Sequence, residues 1–156
     1  MISPIEESDR DWDWFAVDPA GAVGHFTTAG MRVLPKTVRQ DKEAALHLID
    51  YFFEKAPKSR PHIVRTEAEI DSGGWPDDLA RSQYLKDFST MASAGVFSYD
   101  MPTSGRKQDY FLVAYPQSPL HISELPPEIR ELVMRTRSPS PFAESPYIAE
   151  LDTRNW

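Results

Sequence analysis

Residues 12–28, WDWFAVDPAGAVGHFTT, decide how this chain folds. Two apolar-rich runs, 12–17 and 23–28, flank the tetrapeptide Asp18-Pro19-Ala20-Gly21. The Asp can accept a hydrogen bond from the backbone two residues on, the Pro has its φ already set, and the Gly tolerates positive φ. The stretch therefore predicts a β-hairpin closed by a four-residue turn with a Gly-centred bulge. Alternation places Trp12, Trp14 and Ala16 on one face of the first strand and Asp13, Phe15 and Val17 on the other. Both faces are apolar, so the strand is either covered on both sides or presents one of them to a partner. In the second strand Val23, His25 and Thr27 oppose Gly24, Phe26 and Thr28.

Outward from the hairpin, the periodicity changes to that of helices. Ala45, Leu48, Ile49, Phe52, Phe53 and Ala56 make one apolar stripe, which predicts a helix over 41–55, stopped by Pro57. Its N-cap is Asp41, or Thr37 with Gln40 in capping-box spacing. A second helix is predicted from Trp75-Pro76 to Gly95, with Ala80, Tyr84, Leu85, Phe88, Met91 and Ala92 inward. A third, short helix is predicted over 126–135. Strands are expected at 62–66, 96–101 and 109–115, the last two forming a second hairpin with Thr103-Ser104-Gly105 in its turn. A short strand is conceivable at 32–34. Residues 1–11 read as a loose lead-in and 67–74 as a flexible loop. From Ser138 three Ser-Pro steps speak against regular structure. Phe142, Tyr147, Ile148, Leu151 and Trp156 are nonetheless too apolar for a solvated tail, and should lie on the domain or on a partner. The expectation is one α+β domain over 1–137, followed by a Pro-rich aromatic segment over 138–156. Its sheet should be antiparallel or mixed, with about five strands, two hairpins and about three helices on one face.

Composition narrows the function classes. The 156 residues carry a net charge of −7 and no cysteine, which excludes disulfides and thiolate metal sites. The opening MISPIEE lacks the basic and apolar regions of a signal peptide, and no apolar run approaches a membrane span. A cytoplasmic location, with no membrane partner, is expected. Charge is uneven: residues 1–30 hold six acids against one Arg, 31–65 eight bases against four acids, and 66–100 seven acids against two bases. Acidic surface repels phosphate and disfavours nucleic acid; it suits a basic protein, or serves solubility alone.

No signature of chemistry emerges. Asp9, Asp11 and Asp13 have the opening spacing of a calcium loop, but Trp14 stands at its glycine position and Ala20 at its glutamate position. The four His, at 25, 47, 62 and 121, form no zinc-ligand spacing. There is no nucleophile elbow, P-loop or dinucleotide fingerprint. Gly73-Gly74 before the second helix could cradle a phosphate, but Asp77 and Asp78 argue against it. An acid–base pair of His25 with Asp13 or Asp18 would have to be assembled by the fold. No cofactor and no enzyme activity are expected.

The phrases WFAVDPAGAVGHFTTAG, GVFSYD, DYFLVAYPQSPL and ELPPEI resemble those of small uncharacterised bacterial proteins, some of them similar to immunity proteins of toxin–antitoxin or contact-dependent competition systems. The likeness covers residues 12–35 and 95–130. It implies a stoichiometric inhibitor of a cognate toxin, with no catalytic residues to carry over. On this view the acidic-aromatic ribbon of Asp9, Asp11, Trp12, Asp13, Trp14 and Asp18 is the partner-binding surface, with the 67–78 loop as a second contact; a core role for both indoles is the alternative. Two competing expectations are a small-molecule or enzymatic site between the sheet and the 41–55 helix, with His25 at its floor, and oligomerisation through the aromatic C-terminal segment.

Overall fold

The computed structural model describes residues 1–30, 33–102 and 109–156. Strands β1 (Asp13–Val17) and β2 (Val23–Thr27) form the expected antiparallel hairpin, with Phe15 opposite His25. The Asp18 carboxylate makes its turn: Oδ1 accepts from the backbone N–H of Ala20 at 2.9 Å and of Ala22 at 2.8 Å. Gly21 donates to the Asp18 carbonyl at 3.1 Å with φ +78°, a conformation that costs an L side chain dearly.

Strands β3 (His62–Val64), β4 (Phe97–Asp100), β5 (Asp109–Pro116) and β6 (Tyr147–Ala149) complete an open, mixed sheet of six strands in the order β1-β2-β4-β5-β3. β2 and β4 are parallel; the other pairings are antiparallel. β3 and β6 share the outer edge of β5, one at each end of it. The fold is thus α+β, as expected, with the second hairpin formed by β4 and β5. The turn expected at Thr103-Ser104-Gly105 lies outside the described residues. So does Arg32 of the conceivable strand at 32–34, whose remaining residues, Val33 and Leu34, are irregular.

Three helical segments pack on one sheet face, as their apolar stripes demand. The first is α3 (Lys42–Asp50), capped by the Asp41 side chain on the Ala44 N–H and continued by a π-helical turn over Tyr51–Lys55. The second is α5 (Asp78–Ser93), which starts two residues later than Pro76 implied because the Asp77 side chain caps Ala80 N–H. The third is α6 (Pro127–Val133). Leu48, Phe52, Ile129 and Val133 meet Phe15, Val17, Val23 and Val96, while Leu85 and Phe88 meet Phe111 and Val113.

Four short helices were not expected. α1 (Pro4–Asp9) forms in the supposed lead-in because Ser3 and Glu6 make a reciprocal capping box. A pairing of Lys42 with Glu6, together with the Ser3 hydrogen bonds, lowers the Glu6 carboxyl to about 2. α2 (Lys36–Gln40) sits where a connection with a Thr37 cap was one option; no side chain caps it. α4 (Ala68–Asp71) orders part of the supposed flexible loop by burying Ala68. α7 (Glu150–Thr153) follows β6 directly.

The last two elements correct the expectation of an irregular C-terminal segment. Proline forbids only its own N–H and its predecessor's helical conformation, and residues 147–153 lie beyond the last Ser-Pro step. The segment covers the second sheet face, where Trp14, Phe26 and Tyr99 stack ring on ring across β1, β2 and β4, with centroid spacings of 4.1 and 4.7 Å. Phe142 and Trp156 close on that stack edge-first. Gly24 lies under the Phe142 ring: a Cβ there would come within 2.8 Å of it. The composition changes at residue 137, but the residues on both sides of that point pack on one sheet.

Asp18 fastens this covering segment. Its Oδ2 accepts the Phe142 N–H at 2.8 Å, so one buried carboxylate serves three backbone donors. Asp18→Ala should cost about 2–4 kcal/mol, since it strands buried N–H groups. Asp18→Asn should fall between Ala and wild type. Urea denaturation of the three proteins measures it.

Candidate functional site: an acidic cleft between the sheet and the long helix

The hairpin, β4 and α5 enclose a cleft of about 340 Å³ lined by Asp11, Asp13, His25, Thr27, Ala29, Tyr84, Asp87, Phe88 and Asp100. Alternation explains the strand contributions. Asp13, His25 and Thr27 share the helix-facing side of the first hairpin, and His25 pairs in register with Ser98 of β4, two residues before Asp100. α5 supplies Tyr84, Asp87 and Phe88, three residues within about one turn and a half.

Two polar links run beneath the cleft. His25 is 1% exposed and bridges two strands: Nε2 lies 2.7 Å from Asp13 Oδ1, and Nδ1 lies 2.7 Å from Ser98 Oγ. The carboxylate only accepts, so Nε2 carries a hydrogen; the Ser hydroxyl can donate to a neutral ring or accept from a charged one. Phe15, Phe53 and Phe88 surround the imidazole with centroids 5.3–6.4 Å away. Ser98 is wholly buried, so the Asp-His-Ser chain offers no nucleophile to a substrate and acts as a tie between strands. In the second link, Asp100 Oδ2 accepts from the Tyr84 hydroxyl at 2.6 Å and Oδ1 from the Met101 N–H at 2.8 Å. Burial, reinforced by Asp11, pushes the Asp100 carboxyl up to about 6, although the Tyr84 and Met101 donors and His25 act the other way. Burial and then the neighbouring Asp100 drive the Tyr84 phenol far above its ordinary value.

The lining contains four carboxylates and no Lys or Arg. Asp13 is engaged by His25 and Asp100 by Tyr84, whereas Asp11 and Asp87 have no ion-pair partner among the described residues. Among those residues, no group of three or more His, Cys, Asp or Glu side chains is placed to hold a metal ion.

The structure regroups the proposed partner-binding residues. Asp11 and Asp13 reach the cleft. Asp9 is exposed at the end of α1. Trp12 and Trp14 are each 1% exposed, which corrects the expectation of a double-tryptophan contact patch. Trp12 donates its indole N–H to the Glu6 carbonyl at 2.9 Å, beneath the Arg10 guanidinium; Trp14 donates to the Tyr110 hydroxyl at 3.3 Å inside the ring stack. A hydrophobic face that long is worth more covered by its own chain than left to a partner. Asp18, 6% exposed, serves the turn and Phe142 at the far end of the hairpin, roughly 17 Å from Asp13 at about 3.4 Å per residue. His25 therefore meets Asp13 and not Asp18, and the cleft it lines is closed by α5 instead of the 41–55 helix.

Tyr84, Asp87, Phe88 and Asp100 were missed as site residues. Asp100 carried one signal: an acid two residues along one strand face from Ser98, opposite Phe97 and Tyr99, in a segment expected to be buried, where carboxylates are rarely found unpaired.

The chain matches no family model, no curated protein and no solved structure. Among the described residues, no helix is long and apolar enough to cross a membrane.

Asp100 also makes a prediction about stability. Its folded pKa lies above its unfolded one, so between about pH 4 and pH 6 the folded chain binds the extra proton. This group favours folding at low pH, and the contribution disappears as pH rises through 6. Asp100→Asn keeps a neutral, isosteric group. Its stability relative to wild type should rise by about 2 kcal/mol between pH 4 and pH 7.5, at about 1.4 kcal/mol per pKa unit. Urea denaturation of both proteins across that range checks it.

Proposed function

We propose that this chain is a non-catalytic cytoplasmic protein-binding module, an immunity-like inhibitor that takes a Lys or Arg side chain of a basic bacterial toxin into the acidic cleft. The observation that carries this reading is the lining: Asp11, Asp13, Asp87 and Asp100 converge there with no basic residue among them. A cation placed among several partly desolvated carboxylates gains far more than it would in bulk water. Phe88 and Tyr84 supply aromatic faces for the alkyl stem and for cation–π contact. The net charge of −7 would steer a basic protein toward the module from a distance.

A second reading has one observation in its favour. About 340 Å³ lies within the size range of small-molecule pockets, and His25 lines the cleft. The occupant would then be a small organic cation.

The charge reversals Asp11→Lys and Asp87→Lys, made together, test the first reading. Neither side chain holds the fold through an ion pair, so the melting temperature should stay within about 3 °C of wild type, as surface changes normally do. Affinity for a basic protein partner, measured by calorimetry, should fall at least about 30-fold, the scale of a lost close charge pair. Unchanged affinity in the folded double variant would overturn it. A rise in melting temperature with arginine amide or spermidine, absent in the double variant, would favour the small-cation reading instead.

A further inference from the structure

The sheet ends on β3, and the outer edge of that strand is open. The Arg65 N–H donates to the Val113 carbonyl at 2.8 Å and the Gln117 N–H to the Pro61 carbonyl at 3.0 Å, so Pro61, Ile63 and Arg65 are the positions whose backbone groups face β5. Alternation turns the N–H and C=O groups of His62 and Val64 the other way, where no strand pairs with them among the described residues. At the opposite end of the sheet, Val17 of β1 is strapped by Thr136 and Ser138. The open edge is also apolar: Ile63 is 38% exposed, and Ile70, on the α4 turn just beyond β3, is 81% exposed. Such an edge is a template for a further strand.

Charge decides which strand fits. β3 stands where a basic and an acidic stretch of the chain meet: Lys55, Lys58 and Arg60 precede it, and Glu67, Glu69 and Asp71 follow it. Lys55, Arg60 and Asp71 are ion-paired within the chain, to Asp50, Glu124 and Arg65. Lys58 and Glu69 have no ion-pair partner among the described residues, and Glu67 has only a 3.9 Å contact with Arg65. A parallel strand of the same sequence would set like charges side by side. An antiparallel one sets the basic flank against the acidic flank, so the edge is complementary to itself.

We infer that the β3 edge pairs with the same edge of a second copy of this chain, antiparallel about a two-fold axis at Ile63, to give one sheet continuous across both copies. The inference does not draw on the acidic cleft. In that register His62 of each copy exchanges backbone N–H···O=C bonds with Val64 of the other. Ile63 meets its own copy as a non-hydrogen-bonded pair, the kind whose side chains lie closest, and each covers the other's exposed surface. Residues 58–60 of one copy then run alongside 66–68 of the other, which brings Lys58 to Glu67. The paired stretch is short and the net charge of −7 opposes it at long range, so the association is weak and depends on concentration.

Analytical ultracentrifugation of the full chain is the test. The mass should climb from 17.8 kDa toward twice that value as concentration rises, with a dissociation constant on the order of 100 µM. Ile63→Glu sets two like charges opposite each other at an exposed position and should weaken the dimer at least about tenfold. Lys58→Glu and Glu67→Lys should each weaken it about two- to fivefold, and the two combined in one chain should restore it. Amide hydrogen exchange on the wild-type chain needs no variant to fold. The His62 and Val64 amides should slow as concentration rises, whereas those of Ile63 and Arg65, already bonded to β5, should be protected throughout. A mass of 17.8 kDa up to about 1 mM, a dimer undiminished by Ile63→Glu, a charge-swapped chain no tighter than its single variants, or His62 and Val64 exchange independent of concentration would each overturn the pairing.

Discussion

One buried carboxylate fixes the relation between the two ends of this fold. Asp18 Oδ1 closes the first hairpin on the N–H groups of Ala20 and Ala22, and Oδ2 holds the N–H of Phe142. The backbone of Val17 continues the attachment: it accepts from Ser138 and donates to Thr136. A charged acceptor serving three amide donors is stronger than neutral hydrogen bonds and is costly to leave half-satisfied. Because the turn and the covering segment share it, neither can shift without the other.

That attachment decides what happens to the aromatic face. Trp14, Phe26 and Tyr99 present a continuous stacked surface, and Phe142, Ile148 and Trp156 are delivered onto it by the segment that Asp18 holds. Aromatic pairs in offset or edge-on geometry add about 0.5–1.5 kcal/mol each to what area burial contributes. The opposite face is covered by α3, α5 and α6, and there the sheet carries His25, Ser98 and Asp100 inward. Buried polar groups weaken a core unless each is satisfied, and here each is: His25 by Asp13 and Ser98, Ser98 by His25, and Asp100 by Tyr84 and the Met101 N–H. The acidic cleft stands directly over these links.

The elements that were legible in the residues are those with local causes. The hairpin follows from Asp18-Pro19-Ala20-Gly21, the α3 start from Asp41, and the inward stripes of α3, α5 and α6 from their spacing. α1 was legible too, in the Ser3–Glu6 capping box, but a Pro and several acids disguised it as a lead-in. The π-helical turn at Tyr51–Lys55 left no mark, because its stripe is the same as that of a continued α-helix. β6 and α7 were hidden by the Ser-Pro steps before them; their cause is β5, whose Asp109–Phe111 end pairs with β6 across a long stretch of chain.

By itself, the sequence determined the α+β class, the two hairpins and the three amphipathic helices, since turn chemistry and periodicity act within a few residues of one another. Tertiary structure alone decided the fate of the chemically distinctive side chains. It sent Trp12, Trp14 and Asp18 inside and brought Asp11 and Asp13 together with Asp87 and Asp100 from elements more than seventy residues away. The parallel pairing of β2 with β4 is the physical reason: it sets Asp100 beside His25 and lays α5 across them, and no local pattern encodes which strands become neighbours.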